Sequence, residues 1–585
     1  MNIIKYICIG GLAVMPLACT DFLDVNPKGT LSDGQLNSVD MVEKMILAAY
    51  SHVENDNREQ SPWLFSDIRS GDAYKGGSNS GDMAWAGDIE VSSTIKESSV
   101  EFSYKWERAY VAISRANNAL ARINQLSEAE YPDKVKRMAE MRFLRSFQLF
   151  QIKQIFNHVV WVDENMTEDD LLNESNVKYS DQELWGKIIE DFEYATNNLP
   201  ANNGDIGRVS KYSAMSFLAK ALIYAAYVQA PNYTIERIDL DKMRQVVNLV
   251  SQIEGSGKYR LNDDFAKNFL WEYETQSTAE VTESIFAVQS THDDGTTYGR
   301  LNQFSLLSYP ASPEYGCCVM HLPSQNLVNA FKTDPQTGLP LFDTYDEGFQ
   351  ITTGEDIDNH PEVTVDPRLM HTVGMIGKPY KYDVDYPLPE SGIRAGGYYG
   401  TFVSLKEVET FNCPCYRVAL YFRGSSLNRD LIRYDEILLF KAEALIQIGG
   451  AAELEEARQI INQIRVRAKN STGRLVMKDG TPSANFKIEE YPNDGKWTKD
   501  YAWQALQWEM RLELAMEARR GFDLVRWGIS AETVNKYYTV EKTRRTAYMT
   551  NAEFTPQKHE YLPIPNRQIT YSRGLYKQNL NYDQI

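Results

Sequence analysis

The stretch Trp508–Gly528, WEMRLELAMEARRGFDLVRWG, carries the reading of the whole chain. Leu512, Ala515, Ala518, Phe522 and Val525 recur three or four residues apart, the spacing that lines one face of an α-helix. Glu509, Glu513 and Glu517 follow a second line four apart, with Arg511, Arg519 and Arg520 between them. This spacing predicts a continuous helix with a buried apolar face and a solvated acidic stripe.

Working outward, helical patterns come in pairs over two regions. The first holds Val39–Val53, Tyr104–Ile123, Lys134–Phe156, Asp181–Asn198, Ser210–Val228 and Asp241–Ile253. The second opens with Arg433–Ile448, stops at Gly449-Gly450, and returns through Leu454, Ala457, Ile461, Ile464 and Ala468. Between them, over 256–428, the helical period fails and Gly, Pro, Tyr and Asp accumulate; a loop-rich segment this long is usually functional. The expected fold is mainly α, a tetratricopeptide-like helical-pair solenoid with a large loop-rich insertion. The 34-residue repeat consensus is poorly kept, so the period itself establishes helical pairs only. Expected boundaries are 39–255 for the first helical region, 256–428 for the insertion and 429–585 for the second. With no Pro- or Ser-rich linker among its 585 residues, the chain is expected to pack as one unit.

The N-terminus has a positive start at Lys5 and an apolar run from Ile7 to Leu17, followed by Ala18-Cys19. Residues 1–18 read as a secretory signal, too short to span a bilayer as a mature helix. Cys19 behind a small residue looks like a lipobox cysteine that is acylated and becomes the new N-terminus; simple cleavage and secretion is the alternative. Residues 19–38 are then the lipidated N-terminal segment. Mean hydropathy is −0.44, so a lipid anchors the chain to a membrane that it does not cross. A net charge of −19 argues against a basic track for nucleic acid. Once Cys8 and Cys19 are set aside, Cys317, Cys318, Cys413 and Cys415 remain. An exported context permits bridges between the two clusters, a vicinal pair or free thiols.

The sequence carries none of the common catalytic or metal-binding signatures. The seven His residues form no HxxxH or HExxH, and the Cys lack zinc-finger spacing. In Gly76–Gly81 both serines are out of register with G-x-S-x-G, and no phosphate loop is present. Glu513 and Glu517 resemble a glycosidase carboxylate pair only superficially, because Arg511 and Arg520 beside them favour ion-paired structure. Asp356, Asp358 and Asn359 offer oxygen ligands of the kind Ca²⁺ takes, at a spacing also common in solvated loops. No cofactor is expected.

The order E-x-R-x-E-L-x-x-E-x-x-R-x-x-D-L-x-R-W-G in the opening stretch resembles the C-terminal signature of the SusD/RagB family. AEMRFLRSFQLFQIKQIF from Ala139, GRVSKYSAMSFLAKALIYAA from Gly207, RYDEILLFKAEAL from Arg433 and YLPIPNRQI from Tyr561 also resemble it, as does the segment after Cys19. Members usually have Gly where Ala518 stands, a departure expected to be mild because Ala is the better helix former. The resemblance implies a SusD-like fold and a non-catalytic lipoprotein on the outer membrane, facing the cell exterior. It also implies capture of a glycan (oligosaccharide) for a SusC-like TonB-dependent transporter. Oligopeptide capture of the RagB kind is the alternative, and a secreted glycoside hydrolase the alternative of another class.

The resemblance places ligand on a face built from early loops and the insertion. Sugar sites pair aromatic platforms with polar side chains. The candidates are therefore Tyr74, Asn79, Asp82 and Trp85 from Ser61–Ile95, Tyr309 and Tyr315 from the first part of the insertion, and Tyr398 from its end. Trp63, Asp67, Tyr298, His321, Tyr380, Tyr382 and Tyr399 lie in the same loops. Trp85, in a Gly-rich setting with no helical stripe to join, reads equally as an exposed platform or a buried plug.

Overall fold

The computed structural model describes residues 37–53, 60–274, 282–296, 299–419 and 422–584. The 1–18 segment, Cys19 and Tyr298 lie outside the described residues. The first helical region contains α1 (Val39–Tyr50), α2 (Val100–Gln125), α3 (Lys134–Phe156), α4 (Asp181–Asn198), α5 (Lys211–Ala226) and α6 (Leu240–Gly255). The second contains α7 (Tyr434–Ile448), α8 (Ala451–Asn470), α9 (Lys499–Glu513), α10 (Arg520–Arg526) and α11 (Ser530–Arg544). Local signals set their ends. Ser180 and Ser210 accept hydrogen bonds from the backbone N–H three residues on, in capping boxes that start α4 and α5. Gly449, at φ +82°, closes α7 in the left-handed conformation that glycine adopts without steric cost.

Each helix from α2 to α8 packs against its neighbours in sequence, and α6 packs directly on α7. The helical stack therefore continues across the insertion. Its core is aromatic: Phe143 of α3 meets Phe192, Phe217 and Phe286 edge-on, with ring centroids 5.3, 5.4 and 5.6 Å away. Among the described residues no helix is long and apolar enough to cross a membrane.

Four short strands fasten the insertion: β1 (Ala73–Gly76), β2 (Ser284–Val288), β3 (Met320–Pro323) and β4 (Arg429–Arg433). β2 pairs antiparallel with β4, Phe286 opposite Ile432, so the two ends of the insertion meet beside α5 and α7. β1 pairs antiparallel with β3, Tyr74 opposite Leu322 and Gly76 opposite Met320, which joins the early loop to the insertion.

The signature stretch departs from the sequence expectation in two ways. Its acidic stripe is buried: Glu509 and Glu513 are fully enclosed and Glu517 is 7% exposed. Arg368 Nη1 donates to Glu509 Oε1 at 2.5 Å and to Glu513 Oε2 at 2.9 Å, and Arg465 Nη1 donates to Glu509 at 3.2 Å. Arg467 also donates to Glu513, while Lys406 Nζ reaches Glu517 at 2.6 Å and Arg433 Nη2 at 3.1 Å. Burial by itself raises the Glu513 carboxyl, but the Arg467 and Arg368 guanidiniums outweigh it and hold the group below its ordinary value. The cations come from distant segments, which is why helix periodicity mistook this face for a wet one.

The helix is also broken. α9 ends at Glu513, and a turn with Met516 at φ +63° and Ala518 at φ +62° precedes α10. The break docks the turn on the early chain: Ala518 N donates to Asp67 Oδ2 at 3.0 Å and Gly521 N to Ser66 Oγ at 3.2 Å. A Cβ on Gly521 would lie 2.4 Å from the Ser66 carbonyl oxygen. The replacement of Gly by Ala at 518 is therefore not mild for the reason first given, since the position is left-handed backbone, where an L side chain is disfavoured.

Two outcomes are expected. Ala518→Gly should stabilise the fold by about 0.5–1 kcal/mol, the relief of left-handed strain exceeding the added chain entropy; an unchanged or lower denaturation midpoint refutes it. Glu513→Gln leaves two buried guanidiniums short of a counter-charge and should cost about 3–5 kcal/mol by guanidinium unfolding at constant slope.

Candidate functional site

The early loop is shaped by its own polar groups. At the end of β1, Gly76 and Gly77 adopt φ +79° and +90°, and a Cβ on Gly76 would sit 2.4 Å from Val319 O. Only glycine lets this backbone press against the insertion, where Gly77 N donates to Val319 O at 2.8 Å. The loop then closes on Asp82, whose Oδ2 accepts from Ser78 N at 3.0 Å and Ser78 Oγ at 3.1 Å. Asn79 Oδ1 accepts from Gly81 N at 2.8 Å. From beneath, the buried Lys75 ammonium donates to the carbonyls of Gly76, Asn79 and Asp82. Burial lowers the Lys75 pKa, and Glu90 and Asp82 oppose that shift.

Two segments of the insertion meet this loop. Arg394 Nη1 lies 3.5 Å from Asp82 Oδ2 and 3.4 Å from Cys318 O, with its side chain 37% exposed. Four residues on, Tyr398 is half-buried on the short helix Gly396–Tyr399, its ring 6.1 Å from that of Tyr399. Tyr399 is buried, with Lys75 Nζ 5.3 Å from its ring centroid. Asn79, Asp82 and Arg394 therefore gather at one supported loop, and Tyr398 stands on the short helix that packs against β1 beside it. Among the described residues the Tyr398 hydroxyl, Asp82 Oδ1 and the Arg394 Nη2 make no hydrogen bond. They leave a half-buried phenol, a carboxylate oxygen and one guanidinium nitrogen without a protein partner.

Three of the seven candidates are not at the surface. Tyr74 is fully buried; its hydroxyl donates to Glu541 Oε2 at 2.8 Å and accepts from Gln325 N at 3.1 Å. Tyr309 and Tyr315 are fully buried and stack at 5.9 Å, accepting from Glu409 N and Phe411 N. With Tyr380, Tyr386 and Tyr416 they form a tyrosine core inside the insertion. Loops of this size need a core of their own, and tyrosine fills it while its hydroxyl satisfies buried backbone. Trp85 does join a helix, Ala84–Val91, and is half-buried between Phe65 at 6.2 Å and Phe102 at 6.5 Å. Gly87, two positions on, faces Lys75, so Trp85 projects from the other side of that turn.

The neighbouring residues are structural. His321 Nε2 lies 2.8 Å from Asp67 Oδ2 and its ring stacks on the buried Trp63 at 4.7 Å. Tyr382 Oη is 2.9 Å from His371 Nδ1. The sulfurs pair within each cluster, Cys317 with Cys318 and Cys413 with Cys415. In the 356–359 segment Asp356 Oδ2 accepts from Thr353 N at 2.8 Å in the capping box of the helix Gly354–Asn359, and Asp358 pairs with Lys378 at 2.5 Å. Among the described residues Glu283, Asp435 and Glu513 also converge, but Arg467 and Arg433 already stand among them. Glu513 and Glu517 are buried with their cations.

Sequence reasoning missed Arg394, which carries no motif, and whose closeness to Asp82 exists only after β1 and β3 pair.

The chain is similar to known proteins over nearly all its length. SusD-like protein P2 of Formosa agariphila is 22% identical over 522 residues, 86% of each chain. A SusD-like protein of Bacteroides ovatus is 25% identical over 256 residues, 43% of this chain and 44% of the other. A SusD-like crystal structure from Bacteroides fragilis superposes with a TM-score of 0.68 at 20% identity, covering 94% of this chain and 99% of its own. Surface glycan-binding protein A from Bacteroides thetaiotaomicron, solved with laminarihexaose, gives a TM-score of 0.61 at 17% identity, covering 93% of this chain and all of its own. A family described as starch-binding and associating with the outer membrane matches residues 21–223. The SusD family matches residues 282–582, more than half of the chain, and this protein belongs to it.

Proposed function

We propose that this protein is a non-catalytic lipoprotein of the outer membrane that captures oligosaccharide at the cell surface and delivers it to a SusC-like TonB-dependent transporter. The convergence of Asn79, Asp82 and Arg394 at one supported loop, with Tyr398 beside it, carries the reading. A half-exposed ring supplies a platform for the C–H face of a sugar, and the carboxylate, amide and guanidinium beside it match hydroxyl pairs. Trp85 flanks the loop. The glycan-binding relative with laminarihexaose supports a carbohydrate cargo, and the starch-binding family match supports the outer-membrane setting. Lipid attachment at Cys19 supplies the anchor. The burial of Glu513 and Glu517 with their cations supports binding without hydrolysis.

Calorimetric titration of the mature protein against β-glucan, α-glucan and mixed-peptide panels tests this reading. Saturable binding to one glycan class without product formation is expected. Binding to peptides alone would replace the cargo with oligopeptide, and release of shorter sugars would end the non-catalytic reading. Tyr398→Ala should weaken that binding by about tenfold or more and leave the melting temperature nearly unchanged, because the ring is half exposed. Tyr315→Ala should instead cost about 3–5 kcal/mol of stability, as for other large buried aromatic truncations. Equal stability losses in the two variants would place Tyr398 in the core.

A further inference from the structure

A cavity of about 320 Å³ opens between α9, α10, α11 and the 342–347 segment. It shares no lining residue with the Tyr398 face, and α11 contributes Lys536 and Tyr537 to its wall. This is within the size range of small-ligand sites.

On its floor Arg511 and Arg520 share one carboxylate, Asp72. Arg511 takes Asp72 Oδ1 with Nε at 3.0 Å and Nη2 at 2.7 Å. Arg520 is left with Asp72 Oδ2 at 3.4 Å from its Nε, and neither atom has a hydrogen-bond partner among the described residues. Burial, together with the neighbouring Arg511, pushes the Arg520 guanidinium down to about 10, the mark of a cation short of counter-charge. Its terminal nitrogens likewise make no hydrogen bond among the described residues, and the side chain lines the cavity. A guanidinium with an open donor fork is the best match for a carboxylate.

The walls add a second requirement. Trp508 and Tyr345 meet edge to face, with centroids 4.9 Å apart and planes 75° to each other, and together give the cavity an apolar corner. Gln504 and Gln507 stand half-exposed above it, their amides without partners among the described residues, and each offers both donors and an acceptor. Inside, the Tyr537 hydroxyl is buried with no partner among the described residues. Of the lining carboxylates Asp346 is held by Arg544 at 2.8 Å, while Asp343, Glu347 and Glu532 are exposed, which disfavours an extended polyanion.

We propose that this cavity is a second ligand site that takes a uronic-acid sugar, its carboxylate on Arg520 and its ring against Trp508 and Tyr345 beneath Gln504 and Gln507. Titration of the purified protein with galacturonic acid, its methyl ester and glycylglycine tests the assignment. Saturable binding of the acid is expected. Esterification should weaken it by about tenfold or more, as should Arg520→Lys, which removes the fork. Gln504→Trp, which fills the half-exposed mouth without touching the charged floor, should abolish binding in a protein of normal melting temperature. Tyr398→Ala should leave binding unchanged, which separates this site from the outer face. Equal binding of acid and ester, retention in Gln504→Trp, preference for glycylglycine, loss in Tyr398→Ala, or no binding of the acid would each overturn the proposal.

Discussion

The buried charges along α9 and the turn that follows it hold the molecule's parts in register. Glu509, Glu513 and Glu517 receive Arg368 and Lys406 from the insertion, Arg433 from β4, and Arg465 and Arg467 from α8. A buried ion pair adds little net stability relative to a well-packed apolar one, but a displaced partner leaves a charge in low dielectric at a cost of several kcal/mol. The network therefore penalises any arrangement in which the insertion, β4 and α8 are not all seated on α9. Arg368 shows why most of the cations are arginines: one guanidinium meets Asp366, Glu509 and Glu513 at once, which a lysine ammonium cannot do with the same planar geometry.

The candidate face inherits its order from that frame. Asp67 joins three parts of the chain, since one carboxylate oxygen takes His321 from β3 and the Ala518 N–H from the signature turn. Tyr74 extends the connection to α11 through Glu541. Side chains at the surface, such as Asp82 and Arg394, are then presented by loops whose backbones are fastened from below by Lys75 and by the pairing of β1 with β3. Loops held this way can display polar groups without the entropy loss that a flexible loop meets on binding a ligand.

Much of the helical frame was legible in the sequence because helix formation is local. Phe143 and Phe147 recur at helical spacing and both are buried in α3, and the Gly449-Gly450 stop lies at the end of α7. The candidate face was legible only in part. Asn79, Asp82 and Tyr398 lie on it, but Tyr74, Tyr309 and Tyr315 are core residues. Nothing in a tyrosine's sequence neighbours says whether its hydroxyl will meet water or a backbone N–H from a hundred residues away, as Tyr309 meets that of Glu409.

By itself the sequence determined where helices run, which segment departs from them, and which family the signature belongs to, because each rests on spacing or on strings of neighbouring residues. Tertiary structure alone decided that the acidic line of the signature is dry, that its helix ends at Glu513, and that Arg394 stands beside Asp82. In each case the deciding partner is far away in the chain. An isolated helix pattern records how often a charge recurs, whereas its solvation depends on whether a distant guanidinium arrives to replace the water.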